Sequence, residues 1–175
     1  MQLSGKYIHN IGVYNNSAGS GGCSSLQWQE GPEKMNVAWF LQQKGYQTSF
    51  AGKYLNNYGY GSQGLTSPPE CLNATAVYDA TRMETACAQR LQHVPRGWNH
   101  WQALKGNAVY YNYTLSNNGV PEEHGDDYAA DYLVDLVANR TMAFLKSKLA
   151  SRDGVQPVFA VAAVPACHEP AGTQI

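Results

Sequence analysis

The sequence predicts an α/β fold, a mainly parallel sheet flanked by helices with a small β-hairpin and a cysteine-flanked insertion. Three observations carry that expectation. Two are helix-then-strand units, one over residues 32–51 and one over residues 126–164. The third is the run YYNYTLSNNG, residues 110–119, whose Asn118-Gly119 pair is the dipeptide that two-residue hairpin turns favour, because both central positions need positive φ.

In the first unit, Pro32 and Glu33 suit a first helical turn, and Val37, Phe40 and Leu41 fall on one face of a helix running to Lys44. Gly45 is placed as its C-terminal cap. YQTSFA follows as a strand, with Tyr46, Thr48 and Phe50 on one side. In the second unit Asp126 or Asp127 caps a long helix to about Leu149, with Leu133, Leu136, Val137 and Phe144 as its apolar stripe. After a turn near Gly154 the chain enters Pro157 to Val164, apolar without alternation, the pattern of a parallel strand covered on both faces and central in its sheet. No internal repeat or domain linker interrupts the 175 residues, which form one domain or part of one.

Composition excludes several classes of partner. Twelve Lys and Arg against thirteen Asp and Glu leave a formal charge of -1, so nothing general attracts nucleic acid or an anionic membrane, and an anionic ligand has to be held locally. The longest apolar run, VFAVAAV, is far short of the ~20 residues that span a bilayer. Asn-x-Ser/Thr sequons occur at Asn15, Asn73, Asn112 and Asn139, and together with four cysteines they point to a secreted context. The opening MQLSGKYIHN has no signal-peptide core, so a missing N-terminus is expected. Cys71 and Cys87 flank the stretch where a disulfide would close a surface insertion at 60–89, while Cys23 and Cys167 are free or paired elsewhere. No CxxC pair is present to build a structural zinc site.

Ligands of open α/β sheets collect beyond the carboxyl ends of the strands. Here those ends carry AGKYLNN and PACHEP, which deliver Lys53 and His168. An ammonium and an imidazole at one rim grip a tetrahedral anion and supply a proton to a leaving oxygen. The bland alternative is a solvated lysine and a loop histidine capping a carbonyl.

The segment GYQTSFAGKYL, residues 45–55, resembles the second signature of the type I sulfatases: Gly, Tyr or Val, any residue, Ser or Thr, two free positions, a small or aliphatic residue, Gly-Lys, an aromatic, then His or Leu. SGKYIHN is similar to the segment that follows the first signature, Cys-x-Pro-Ser-Arg. VPRGWNHWQAL, YYNYTLSNNG and PACHEP resemble, in the same order, blocks of the N-acetylglucosamine-6-sulfatase branch. The resemblance implies an alkaline-phosphatase-like fold, with residues 1–175 as one incomplete N-terminal catalytic domain. It also implies hydrolysis of sulfate monoesters by a formylglycine nucleophile, a calcium ion, a sulfated carbohydrate of heparan or keratan sulfate type as partner, and a lysosomal or secreted location. Lys53 would contact formylglycine and sulfate, and His168 would contact sulfate or protonate the departing sugar oxygen.

The departures from the family are specific. Cys23 is followed by SSLQ, Cys71 by LNAT, Cys87 by AQRL and Cys167 by HEPA, so no formylglycine motif is present. The paired upstream aspartates that bind calcium are absent as well. Asp126 and Asp127 sit at a helix start, where capping is the simpler role. His9 and Asn10 either line the pocket, as the resemblance implies, or lie on the surface. Asn56 and Asn57 either hydrogen-bond a sugar or terminate a turn. Trp98 and Trp101 either stack on a pyranose or pack the core. His93, His100 and His124 show no metal-ligand spacing.

Overall fold

The computed structural model of the chain describes residues 3–16, 21–59, 93–150 and 156–168. The expected insertion at 60–89, the Cys71–Cys87 pair and the sequon at Asn73 lie outside those residues.

Five strands form one sheet in the order β4-β3-β2-β1-β5, comprising β1 (Gln47–Lys53), β2 (His100–Leu104), β3 (Tyr113–Asn117), β4 (Val120–His124) and β5 (Val158–Ala163). Strand β1 pairs in parallel with β2 on one side and β5 on the other. The hairpin β3–β4 continues the sheet antiparallel from β2. Its turn is the expected one, with Asn118 at φ 49 and Gly119 at φ 89. The α-helices among the described residues are α1 (Leu26–Glu30), α2 (Val37–Gln42), α3 (Tyr128–Asp131) and α4 (Leu133–Leu149).

Two cores lie on the two faces of the sheet. On one, Ala38 of α2 packs with Phe50, Tyr54, Tyr58, Trp98, Trp101 and Ala103. On the other, Leu133 and Val137 of α4 pack on Ala51, Leu104, Tyr113 and Leu115. Strand β1 therefore sends Phe50 to one core and Ala51 to the other, which explains a strand buried on both faces.

Two sequence expectations are corrected here. The first helix does not run unbroken from Pro32 to Lys44: a 3-10 turn, Pro32–Met35, ends at the buried Asn36. The Asn36 amide donates to the Glu33 and Arg96 carbonyls at 2.8 Å each, and its oxygen accepts from Trp39 N at 3.1 Å, restarting the helix as α2. Ala38 then faces the core and Phe40 turns outward, 52% exposed. The later helix is also split. Asp127 caps only α3, accepting from Ala130 N at 2.9 Å, and the chain bends at Tyr132 before α4 starts with Leu133, whose N–H donates to the Tyr110 carbonyl. Among the described strands β5 stands at the end of the order and is half-buried.

At the end of β1, Gly52 is paired with Ala163 of β5 in a conformation that leaves no room for a side chain. Gly52 has φ +106, and a Cβ there would lie 2.2 Å from the Ala163 carbonyl oxygen, with backbone on both sides of the contact and no flexible side chain to yield. We expect Gly52→Ala in the full-length protein to destabilise the domain by about 3 kcal/mol, through backbone strain added to steric overlap. Thermal or urea denaturation checks this, and an unchanged midpoint contradicts the close approach.

Candidate active site

Because β1 and β5 are adjacent and parallel, their carboxyl ends open on the same edge of the sheet. Lys53 closes β1, and the segment 164–168 leaves β5 from that same edge.

Lys53 is half-buried and held at short range. Its Nζ donates to Asn56 Oδ1 at 2.8 Å and to the Tyr54 carbonyl at 3.3 Å. An ammonium has three N–H groups, so these two acceptors leave one for a ligand. Burial lowers the lysine pKa below its ordinary 10.5, and the Cys23 thiol opposes that shift. Asn56 is itself anchored: Ser24 Oγ donates to its carbonyl at 2.7 Å, and Cys23 Sγ reaches the same oxygen at 3.8 Å. Asn57 takes φ 61 and terminates the turn, with its N–H directed to Asn107 Oδ1 at 3.4 Å.

On the neighbouring strand, the His168 N–H closes a tight turn onto the Pro165 carbonyl at 2.6 Å. The His168 carbonyl accepts from Tyr110 Oη at 2.7 Å. Tyr110 sits on the loop between β2 and β3 and packs against Tyr132, so the position of the histidine depends on the junction between α3 and α4.

The other candidate residues divide. Asn56 joins Lys53 directly and Asn57 belongs to the same turn. His9 and Asn10 lie on an exposed 3-10 turn, Ile8–Asn10, where His9 stacks on Tyr7. Trp101 is fully buried and Trp98 is 7% exposed, so of the two alternatives, stacking on a sugar and packing the core, both indoles take the second. Both rings pack against Phe50, and Trp101 Nε1 donates to Tyr58 Oη at 2.7 Å, so the indoles fill the core that backs the site. Cys23 and Cys167 are free thiols. Asn15, Asn112 and Asn139 are exposed.

The histidines without metal-ligand spacing have structural partners. His93 Nε2 meets Glu33 Oε2 at 2.5 Å, His100 packs on Phe144, and His124 lies between Glu122 and Asp131 at 3.1 Å from each. Among the described residues no three His, Cys, Asp or Glu side chains form a group able to hold a metal ion. The calcium that the resemblance implies therefore finds no ligand set in them.

The contacts that Ser24, Cys23 and Tyr110 make at this edge are not legible in the sequence, and for a physical reason. Ser24 and Cys23 act across more than thirty residues of chain, and Tyr110 acts through its hydroxyl on a backbone atom, so none carries a local motif.

A half-buried cation at the carboxyl ends of parallel strands in a mixed α/β sheet is an arrangement able to hold an anion. Comparison with known proteins makes the class definite. The family model described as Sulfatase matches residues 1–174, and the chain belongs to the sulfatase family. It is 41% identical over 169 residues to N-acetylglucosamine-6-sulfatase of Homo sapiens, a match covering 96% of this chain and 25% of that protein. It is 36% identical over 168 residues to the Drosophila melanogaster protein named extracellular sulfatase SULF-1 homolog, covering 96% of this chain and 12% of that one. The chain thus spans a quarter or less of the length of these relatives. A solved structure of a protein in complex with its substrate D-glucosamine-2-N,6-O-disulfate superposes with a TM-score of 0.56 at 21% identity, covering 95% of this chain and 23% of that one. That likeness is one of fold, and it agrees with the alkaline-phosphatase-like α/β architecture.

The burial of Lys53 has a direct consequence. Its ammonium should lose its proton at a pH below 10.5, since desolvation penalises the charged form. Titration of the labelled Nζ by NMR checks this, and a midpoint at or above 10.5 contradicts the burial.

Proposed function

We propose that this chain forms part of the catalytic domain of a sulfuric ester hydrolase that removes 6-sulfate groups from N-acetylglucosamine units of glycosaminoglycans, in a lysosomal or secreted setting. One observation carries the reading: the lysine of the sulfatase signature, Lys53, is half-buried at the carboxyl edge of the sheet with a donor left for an anion. The identity to N-acetylglucosamine-6-sulfatase supports the substrate class, as does the substrate named for the structural neighbour, a 6-O-sulfated glucosamine.

In this reading each residue has a separable role. Lys53 donates to a sulfate oxygen and stabilises the charge that builds on it in the transition state. His168 contacts the sulfate or delivers a proton to the departing sugar oxygen. Asn57, His9 and Asn10 lie on exposed or half-exposed turns and are the candidates for contacts to the sugar. Nucleophilic attack on sulfur is not supplied by these residues, since none of the four cysteines stands in a Cys-x-Pro-Ser-Arg motif. The 175 residues alone are therefore expected to be inactive. A non-catalytic module binding sugar through Trp, Tyr and Asn residues is the weaker reading, because Trp98 and Trp101 are buried and would not contribute their rings.

In the full-length protein, Lys53→Met should lower kcat/KM at least about a hundredfold with little change in thermal midpoint, as expected for loss of a group that stabilises transition-state charge. Assay of sulfate release from a panel of sulfated monosaccharides and heparan oligosaccharides tests both parts. Unchanged turnover removes the role of Lys53. Preference for internal over terminal 6-sulfates favours the alternative of an extracellular heparan endosulfatase, and release from aryl sulfates alone favours that of a general arylsulfatase. The isolated chain should give background rates on an aryl sulfate, and release above background would overturn its expected inactivity.

A further inference from the structure

We propose that Ser24 and Asn56 are positioning residues for Lys53: the Ser24 hydroxyl fixes the Asn56 backbone, and the Asn56 side-chain oxygen fixes the direction in which the lysine ammonium meets a sulfate oxygen. The proposal rests on the reading of Lys53 as the sulfate-binding lysine and adds the device that aims it.

A lysine is a poor pointer by itself, because its ammonium is a compact charge on a flexible four-carbon stem. Two acceptors remove that freedom here, the Tyr54 carbonyl and Asn56 Oδ1, and only the second is a side chain whose position must itself be set. Ser24 sets it. It is 4% exposed, immediately precedes the Ser25 cap of α1, and bonds the Asn56 carbonyl from 32 residues away in sequence. The turn carrying Asn56 is thereby tied to a helix start, not left as a free loop. From the other side, Asn57 fixes the turn through its left-handed backbone and its bond to Asn107.

The chemistry of the acceptor matters as much as its place. An amide oxygen orients the ammonium without cancelling its charge. A carboxylate there would hold the lysine as firmly but neutralise it and repel the incoming anion. A neutral acceptor is what an anion-binding lysine requires.

The test uses the full-length enzyme and measures the affinity for inorganic sulfate, as a competitive inhibitor, across pH. Among the described residues the titratable group whose charge acts on Lys53 is Cys23, and His168 lies at the same sheet edge, so all variants are also compared in a Cys23→Ser background and the alkaline limb is read well above the range in which a histidine titrates. Asn56→Ala should weaken sulfate binding about tenfold, the size expected for loss of a hydrogen bond to a charged group. It should also move the alkaline limb of binding to lower pH, because an acceptor that favours the charged lysine is gone. Ser24→Ala should shift both in the same direction by less, and the double variant should be no worse than Asn56→Ala, as for two members of one relay. Asn56→Asp should move the alkaline limb the opposite way, to higher pH, while still weakening sulfate binding. A residue needed only for folding would not give limb shifts of opposite sign. If Asn56→Ala and Ser24→Ala bind sulfate with wild-type affinity and an unmoved limb, while Lys53→Met is impaired, the positioning role is overturned and the sulfatase reading stands. If Lys53→Met itself binds sulfate as wild type does, both fall. Should Asn56→Ala fail to fold, Asn56→Asp decides, and an unmoved limb overturns the proposal.

Discussion

The contact between the Gly52 backbone and the Ala163 carbonyl is the constraint on which the rest of the site depends. Strands β1 and β5 are parallel neighbours, and at Gly52 the space between them has no room for a Cβ. The glycine of the Gly-Lys pair thus serves the approach of two strands, and the lysine that follows is delivered to the edge where the β5 segment also ends. A bulkier residue at 52 would separate the strands at the point where their carboxyl ends must coincide. The Gly-Lys dipeptide is therefore one structural unit: one residue closes the sheet and the next uses the opening beyond it.

Behind that edge the core is aromatic and, unusually, carries a buried carboxylate. Glu33 is 2% exposed, yet its Oε1 accepts from Trp28 Nε1 and Tyr54 Oη at 3.0 Å each, and its Oε2 meets His93. A buried carboxylate is tolerable only when its oxygens are satisfied in this way. Burial, and after it the Glu33 charge, raise the Tyr54 pKa well above 10.0, so the phenol keeps the proton it donates. Tyr54 directly follows Lys53 in the chain. The network that holds its ring also holds the backbone carbonyl that receives the lysine ammonium, which links the packing of the 3-10 turn at Pro32–Met35 to the orientation of a charge at the sheet edge.

What could be read from the sequence was local or periodic. The Asn-Gly turn has one preferred backbone solution, the apolar stripe of α4 recurs at helical spacing, and the strand ending in Gly-Lys carries a family pattern of eleven positions, 45–55. What could not be read depended on contacts distant in sequence. Asn36 breaks a helix because its side chain finds Arg96, sixty positions away. Strand β2 is five residues long, too short for its alternation to separate it from a loop, and it exists because β1 pairs with it. Trp98 and Trp101 offer the same indole to a sugar or to a core, and only the placement of Phe50 and Tyr58 decides between them. Lys53 and His168 were legible as candidates. The residues that hold them, Ser24, Asn56 and Tyr110, became assignable only once the chain was folded.

A cation placed where it is half-buried answers to two opposing demands. Desolvation strengthens its attraction for an anion, because the local dielectric falls, but the same desolvation drives the proton off. An exposed lysine would stay charged and bind weakly; a fully buried one would bind strongly only while protonated. The arrangement around Lys53 lies between these limits: burial lowers the pKa, while a backbone carbonyl and a neutral amide oxygen return part of the stabilisation that water would have given. Neither acceptor carries a full charge, so the charge of the ammonium is not neutralised internally. This balance explains why a lysine can stand at the end of a strand that is otherwise buried, and why its neighbours in the turn are asparagines and not acids.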